Sequence, residues 1–153
     1  MESLFLGTAD AMRRQIMPSF AQFMGDKKTA GVDPSAVRVL DVAAGTGRFI
    51  SFVLDNYPTL DTTVLDLSPF YLAQAQNLLS KYGANVRFVE AAVEGLPFED
   101  ASFDAITCVY LFHELPRDIR MQVRLLITKV HHSLASRPDR QPFHPSNSPS
   151  HTP

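Results

Sequence analysis

Two carboxylates and two glycines carry the chemistry that can be read from this chain. Asp41 ends the alternating run Val37-Arg38-Val39-Leu40-Asp41, and Val42-Ala43-Ala44-Gly45-Thr46-Gly47 leads from it into a helix-like stretch. Backbone without Cβ at Gly45 and Gly47 lets a ligand approach the main chain closely. The free N–H groups of the following helix point at the same spot. A turn of this kind, at the carboxyl end of a parallel strand, holds nucleotide-like ligands. A dinucleotide fingerprint needs a third glycine three residues after the second, and this chain has Ile50 there. A phosphate loop needs Gly-Lys-Ser/Thr, and Gly47 is followed by Arg48 and Phe49. The charge on Asp41 would repel a pyrophosphate and suits a ligand carrying an ammonium or sulfonium group. The alternative is a turn that merely requires glycine. Asp66 lies 66 − 41 = 25 residues further on, at the end of the next predicted strand. An acid placed there can accept hydrogen bonds from both hydroxyls of a ribose. The two features together point to an adenosine-like ligand.

The elements that must position these residues follow from periodicity. The spacing predicts strands over Val37–Val42, Thr62–Leu67, Val86–Val89 and Phe103–Tyr110, the last apolar enough to be buried on both faces. Ile50, Val53, Leu54 and Tyr57 predict a helix that Pro58 stops. Ser68 is an N-cap with Pro69 at the first helical position, and Leu72, Ala75, Leu78 and Leu79 form the buried stripe of a helix that Gly83 ends. Thr8 to Met24 reads as helical with a kink or break at Pro18, and Gly25 to Pro34 as a polar loop. This first segment is a packing helix or a lid over the pocket. A last helix runs from Pro116 to about Leu134, with Ile119, Val123, Leu126, Ile127 and Val130 inward. Strands alternating with helices predict an α/β fold, a Rossmann-like, doubly wound parallel sheet with right-handed crossovers.

Composition narrows the partners. A length of 153 residues predicts one domain, and 45% hydrophobic residues suffice for a core. The net charge of −2 argues against a nucleic acid or an anionic membrane as the main partner. Cys108 is the single cysteine, so no internal disulfide forms. No apolar run reaches the length of a membrane span, and no secretory signal or transit peptide is visible, so a cytoplasmic location is expected. His131, His132, His144 and His151 show no metal-ligand pattern.

The chain resembles the class I S-adenosylmethionine-dependent methyltransferases from about Val37 to Pro116. The motifs are Leu40-Asp41-Val42-Ala43-Ala44-Gly45-Thr46-Gly47 and Leu65-Asp66-Leu67-Ser68, followed by the segment from Glu94 to Asp104 that contains Leu96-Pro97-Phe98. That segment, with Tyr110-Leu111-Phe112-His113-Glu114-Leu115-Pro116, is similar to the branch containing quinone-biosynthesis C-methyltransferases. The resemblance implies S-adenosylmethionine as cofactor and a small organic molecule as methyl acceptor. It implies that Asp41, Ala43, Gly45, Thr46 and Gly47 hold the amino-acid end of the cofactor. Asp66 would bind the ribose, and Leu67 would pack on the adenine. Tyr110 and Leu111 would sit near the methyl group. Ala43 replaces the first glycine of the family motif. Ala92 stands where an acid often accepts from the adenine amino group, leaving the backbone at Val93 to serve. His113 is a candidate base, with a locally bonded loop histidine as the plainer alternative, and Glu114 reads the same way; methyl transfer from a sulfonium needs chiefly positioning and exclusion of water.

The resemblance also implies a sheet of order 3-2-1-4-5-7-6. This chain supplies strands 3-2-1-4 only, and the family pattern is lost near Gln122 to Leu126, with no Lys-Pro-Gly-Gly turn. The expected organisation is an N-terminal helical segment over residues 1–34, a partial cofactor-binding core over 35–134, and a disordered tail over 135–153 that holds five of the eleven prolines. Such a chain reads as a truncated or spliced product, either still an enzyme or a catalytically impaired cofactor-binding fragment. Its fourth strand would lie at an open edge, available for self-association. A nicotinamide-binding domain is the weakest reading, because of Ile50.

Overall fold

The computed structural model describes residues 10–11, 13–109, 111–112 and 114–131. Four strands, β1 (Arg38–Val42), β2 (Asp61–Asp66), β3 (Val86–Glu90) and β4 (Ala105–Cys108), form one sheet of order β3-β2-β1-β4, and all pairs are parallel. The helices are α1 (Met17–Thr29), α2 (Arg48–Asn56), α3 (Pro69–Leu79) and α4 (Arg117–Val130). This is the expected Rossmann-like α/β sheet, with the chain running outward from β1 in both directions. The reversal places the carboxyl ends of β1, β2 and β4 side by side, the position where such sheets bind ligands.

Strand alternation divides the core between two faces. Val39 and Val64 pack with Ile50, Val53 and Leu54 of α2 and Leu72, Ala75 and Leu79 of α3. Leu40, Val42 and Leu65 pack on the other face with Val123 and Val130 of α4. Asp41 and Asp66 follow Val39 and Val64 by two residues, so both carboxylates fall on the α2–α3 side.

The N-terminal stretch is broken as the proline predicted. Backbone at Asp10, Ala11, Arg13 and Arg14 is helical, Gln15 and Ile16 turn, and α1 begins with Pro18 in its first turn. Helix α1 then continues five residues past Met24, through the segment expected as loop. The reason is tertiary. Lys27 is buried and its Nζ donates to Asp104 Oδ1 at 3.0 Å, while Asp104 Oδ2 accepts from the Arg38 N–H at 3.0 Å. A paired, buried lysine fixes the last turn that sequence pattern alone assigned to a polar loop.

Three other expectations change. Leu78 is exposed and only Leu72, Ala75 and Leu79 fill the α3 stripe. Strand β4 is four residues long and half-buried rather than buried on both faces. Among the described residues it pairs with β1 alone, and Phe103, just ahead of it, bridges in parallel to His131 after α4. Helix α4 ends at Val130, and the tail from Ala135 lies outside the described residues. Among the described residues, no helix is long and apolar enough to cross a membrane.

The two turn glycines serve different ends. A Cβ on Gly47 (φ 74°) would meet Leu79 Cδ1 at 3.1 Å and Ala75 Cβ at 3.2 Å, so this glycine lets α2 and α3 pack closely. A Cβ on Gly45 (φ 56°) would meet nothing within 4 Å. Gly45→Ala is expected to lower the unfolding free energy by about 1–2 kcal/mol from the left-handed strain alone. Gly47→Ala adds overpacking and is expected to lower it by about 2–4 kcal/mol. Urea unfolding of the two variants measures the difference.

Candidate functional site

A cleft of about 610 Å³ opens over the carboxyl ends of β1, β2 and β4. That size suits a ligand of nucleoside dimensions. It is lined by Asp41, Ala43, Ala44, Gly45 and Thr46 with the Leu65-Asp66-Leu67 end of β2. The turn is closed by two backbone bonds, Ala44 N–H to Leu65 O and Gly47 N–H to Ala44 O, both at 3.0 Å. Ala43 takes φ 52°, the left-handed region that glycine occupies without strain. The alanine in place of the family's first glycine therefore holds a conformation costing about 1–2 kcal/mol.

Asp41 is the unusual group. It lies within β1 rather than in the turn itself, between Val64 of β2 and Thr107 of β4, and is 1% exposed. Its Oδ1 accepts from Thr107 Oγ1 at 2.7 Å, and its Oδ2 has no hydrogen-bond partner. Burial pushes its carboxyl up to about 7; the Thr107 bond opposes that rise and the neighbouring Asp66 charge adds to it. A buried carboxylate with an unpartnered oxygen on the wall of a cleft is a receptor for a cation or a hydrogen-bond donor.

Asp66 is buried and committed twice. Its Oδ2 accepts from the Gly45 N–H at 2.7 Å and its Oδ1 from the Ser68 N–H at 2.9 Å. Each oxygen has a second lone pair, so acceptance from a diol remains open. The acid thus pins the glycine turn to β2 while presenting its outer side to the cleft. Ser68 in turn accepts from the Tyr71 N–H, capping α3 with Pro69 in its first turn, as its sequence predicted.

The structure brings together Asp41, Ala43, Gly45, Thr46, Asp66, Leu67 and Val93 around this cleft. Leu67 follows β2 instead of ending it, and its largely exposed side chain is free to cover a flat ring. Gly47 and Ala92 do not line the cleft: the first packs on α3 and the second precedes the short 3₁₀ turn Val93–Gly95. Tyr110 and His113 lie outside the described residues. Sequence reasoning missed Thr107, whose signal was a lone hydroxyl in an apolar strand. It also missed Arg13, Arg48 and Tyr71, which reach the cleft from elements whose packing no local pattern encodes, whereas Glu94, in the loop expected near the adenine, and Glu114, considered beside His113, both line it. Val109, Leu111 and Leu115 give it an apolar wall. Burial, and then the Asp41 charge, pushes the Cys108 thiol up to about 12, so it is not a nucleophile at neutral pH.

The raised acid makes a stability prediction. The folded carboxyl titrates near 7 and the unfolded one near 3.8. Between these values the native state binds the extra proton, so the Asp41 contribution to stability falls as pH rises and levels off above about 7. Asp41→Asn removes the titration. It is expected to raise the unfolding free energy of the ligand-free chain by about 1–3 kcal/mol at pH 8, with the gain shrinking toward pH 4. Denaturant unfolding at three pH values measures this.

Comparisons with known proteins bear on the family and the fold. A family model described as Methyltransferase domain matches residues 39–134, well over half of the chain. The chain is 37% identical over 75 residues to a demethylmenaquinone methyltransferase of Thermus thermophilus, covering 49% of this chain and 34% of that protein. It is 37% identical over 98 residues to the ubiquinone/menaquinone biosynthesis C-methyltransferase UbiE of Allorhizobium ampelinum, covering 60% and 38%. The chain thus spans about a third of the length of these curated relatives. A solved SAM-dependent methyltransferase from Aquifex aeolicus shares the fold at a TM-score of 0.56 and 20% identity, over 72% of this chain and 58% of that one. With the glycine turn, the two acids and the strand order in place, the chain belongs to the methyltransferase domain family.

Proposed function

We propose that the cleft binds S-adenosylmethionine and that the chain serves methyl transfer from it to a small organic acceptor. The observation that carries this reading is Asp41: a buried carboxylate, one oxygen unpartnered, on the cleft wall two residues before the turn. Its unmet charge suits the cationic amino-acid end of the cofactor and disfavours a pyrophosphate. Gly45 and Thr46 hold that same end through their backbone, Gly45 leaving open space where a Cβ would stand. Asp66 accepts from the ribose hydroxyls with its remaining lone pairs. Leu67 covers the adenine, and the backbone at Val93 meets its edge.

The bound sulfonium supplies an electrophilic methyl group. The chain's own part is to orient it and to exclude water with the apolar wall at Val109, Leu111 and Leu115. The acceptor in this reading is an electron-rich ring of the quinone type; the likeness to the two quinone-pathway relatives supports that class. The functional unit is residues 35–134, and self-association through the outer edge of β4 is part of the proposal. Calorimetry tests the cofactor reading. S-adenosylmethionine is expected to bind at micromolar concentration and NAD not to bind, and Asp66→Ala is expected to weaken S-adenosylmethionine about 10-fold or more. An Asp66→Ala chain that binds as well as wild type contradicts the ribose assignment.

A further inference from the structure

Asp41 meets the cleft with one oxygen bonded and one open, and a single side chain of β4 sets which is which. Thr107 stands opposite Asp41 in the parallel pairing of β1 with β4, so the two side chains share a face of the sheet. Thr107 Oγ1 donates to Asp41 Oδ1 at 2.7 Å, and Asp41 Oδ2 is buried without a partner. Ala105, Ile106 and Cys108, the rest of β4, offer no hydroxyl. A β-branched side chain is stiff about its first torsion, so the strand holds this hydroxyl in place.

Thr107 has a second acceptor within reach. The Leu40 carbonyl oxygen lies 3.4 Å from the same Oγ1. A hydroxyl carries one proton and two lone pairs, so it donates to one of these oxygens at a time and can accept from a protonated carboxyl. Two arrangements follow. With Asp41 ionised, Thr107 donates to Oδ1, the shorter of the two contacts. With Asp41 protonated on Oδ1, the carboxyl donates to Thr107 Oγ1 and the hydroxyl proton turns to Leu40 O. A proton on Oδ2 would instead be buried without an acceptor, at the cost of a hydrogen bond.

A hydrogen bond to an ionised group is stronger than one to a neutral group. Thr107 therefore favours the carboxylate, against burial and the Asp66 charge, which favour the acid. The charged and titratable groups around Asp41 come from several elements. Asp66 belongs to β2 and Cys108 to β4, while Arg13, Arg48, Glu94 and Glu114 line the same cleft.

We propose that Thr107 is a positioning residue for the cofactor: its hydroxyl turns between Leu40 O and Asp41 Oδ1, keeps Oδ1 as the inner oxygen and leaves Oδ2 to meet the ligand ammonium. The inference rests on reading the cleft as an S-adenosylmethionine site. When the ammonium arrives, the O–H bond at Asp41 Oδ1 breaks and its proton passes to water. Thr107 then donates to the oxygen left behind. Edge strand β4 thus governs the charge of a group that β1 carries.

Two measurements on the full chain test this. Thr107→Val keeps the branched shape without the hydroxyl, and Thr107→Ser keeps the hydroxyl. Heteronuclear NMR titration of the Asp41 carboxyl reads the switch in the ligand-free chain. Thr107→Val is expected to lower the acid ionisation constant of Asp41 by about 5- to 10-fold, and Thr107→Ser to stay within roughly 2-fold of wild type. Calorimetry with S-adenosylhomocysteine reads the consequence for binding. Thr107→Val is expected to weaken it by about 5- to 10-fold at pH 6, where the free carboxyl must ionise, and by less than about 2-fold at pH 9, where it is already ionised. Methylthioadenosine, which lacks the amino-acid end, is expected to bind both variants within roughly 2-fold of wild type, which also shows that each is folded. An unchanged ionisation constant in Thr107→Val overturns the proposal. So does equal weakening at both pH values, or a Thr107→Ser chain that behaves like Thr107→Val. Wild type that binds neither ligand overturns the cofactor reading, and the ligand role of Oδ2 with it, while the NMR titration still decides the Thr107 switch.

Discussion

A carboxylate buried at the end of a central strand sets the terms for the rest of this fold. Asp41 is removed from water with only one of its oxygens bonded, to Thr107. Burying an ionisable group without a partner is expensive, and the molecule responds by raising its pKa toward neutrality. Nothing in the packing of β1 requires an acid at that position. A valine or threonine would continue the strand at lower cost. In the proposed reading the missing partner arrives from the cleft. The free chain then stores a penalty that a cationic ligand relieves, in the manner of functional sites that give up stability for recognition.

The surroundings keep that acid in place and keep its neighbour useful. Asp66 shares the same face of the sheet, which adds repulsion to Asp41, yet both of its oxygens are already anchored by the Gly45 and Ser68 N–H groups. Those bonds hold the turn against β2 and start α3, so one residue fixes two elements before any ligand binds. At the opposite end of the sheet, the buried Lys27–Asp104 pair ties α1 to β1 and to the approach of β4. The buried charged groups Lys27, Asp41, Asp66 and Asp104 are thus concentrated toward the two ends of the strands, and the apolar clusters fill both faces between them.

Much of this was legible in the sequence, for identifiable reasons. Alternation at Val37–Val42, the Ser68-Pro69 cap and the two acids are local signals, and the structure reproduces the strand order they imply. The misreadings are places where partners distant in sequence decide. Lys27 extends α1 because Asp104 lies 77 residues away. Leu78 is left outside because the α3 stripe is only wide enough for Leu72, Ala75 and Leu79. Gly47 has a packing role that the turn motif did not show: its missing Cβ makes room for Ala75 and Leu79. Thr107 and the two arginines join the site through packing that no local periodicity encodes.

Pairing of Asp41 with a cationic ligand has a direct signature in protons. At pH 6 the free carboxyl is largely protonated, and pairing with a ligand ammonium ionises it. Titration of S-adenosylhomocysteine into the chain at pH 6, in two buffers of different ionisation enthalpy, measures the protons released. About one proton per ligand is expected at pH 6, far less at pH 8, and none in Asp41→Asn. Binding heats identical in the two buffers at both pH values would contradict it.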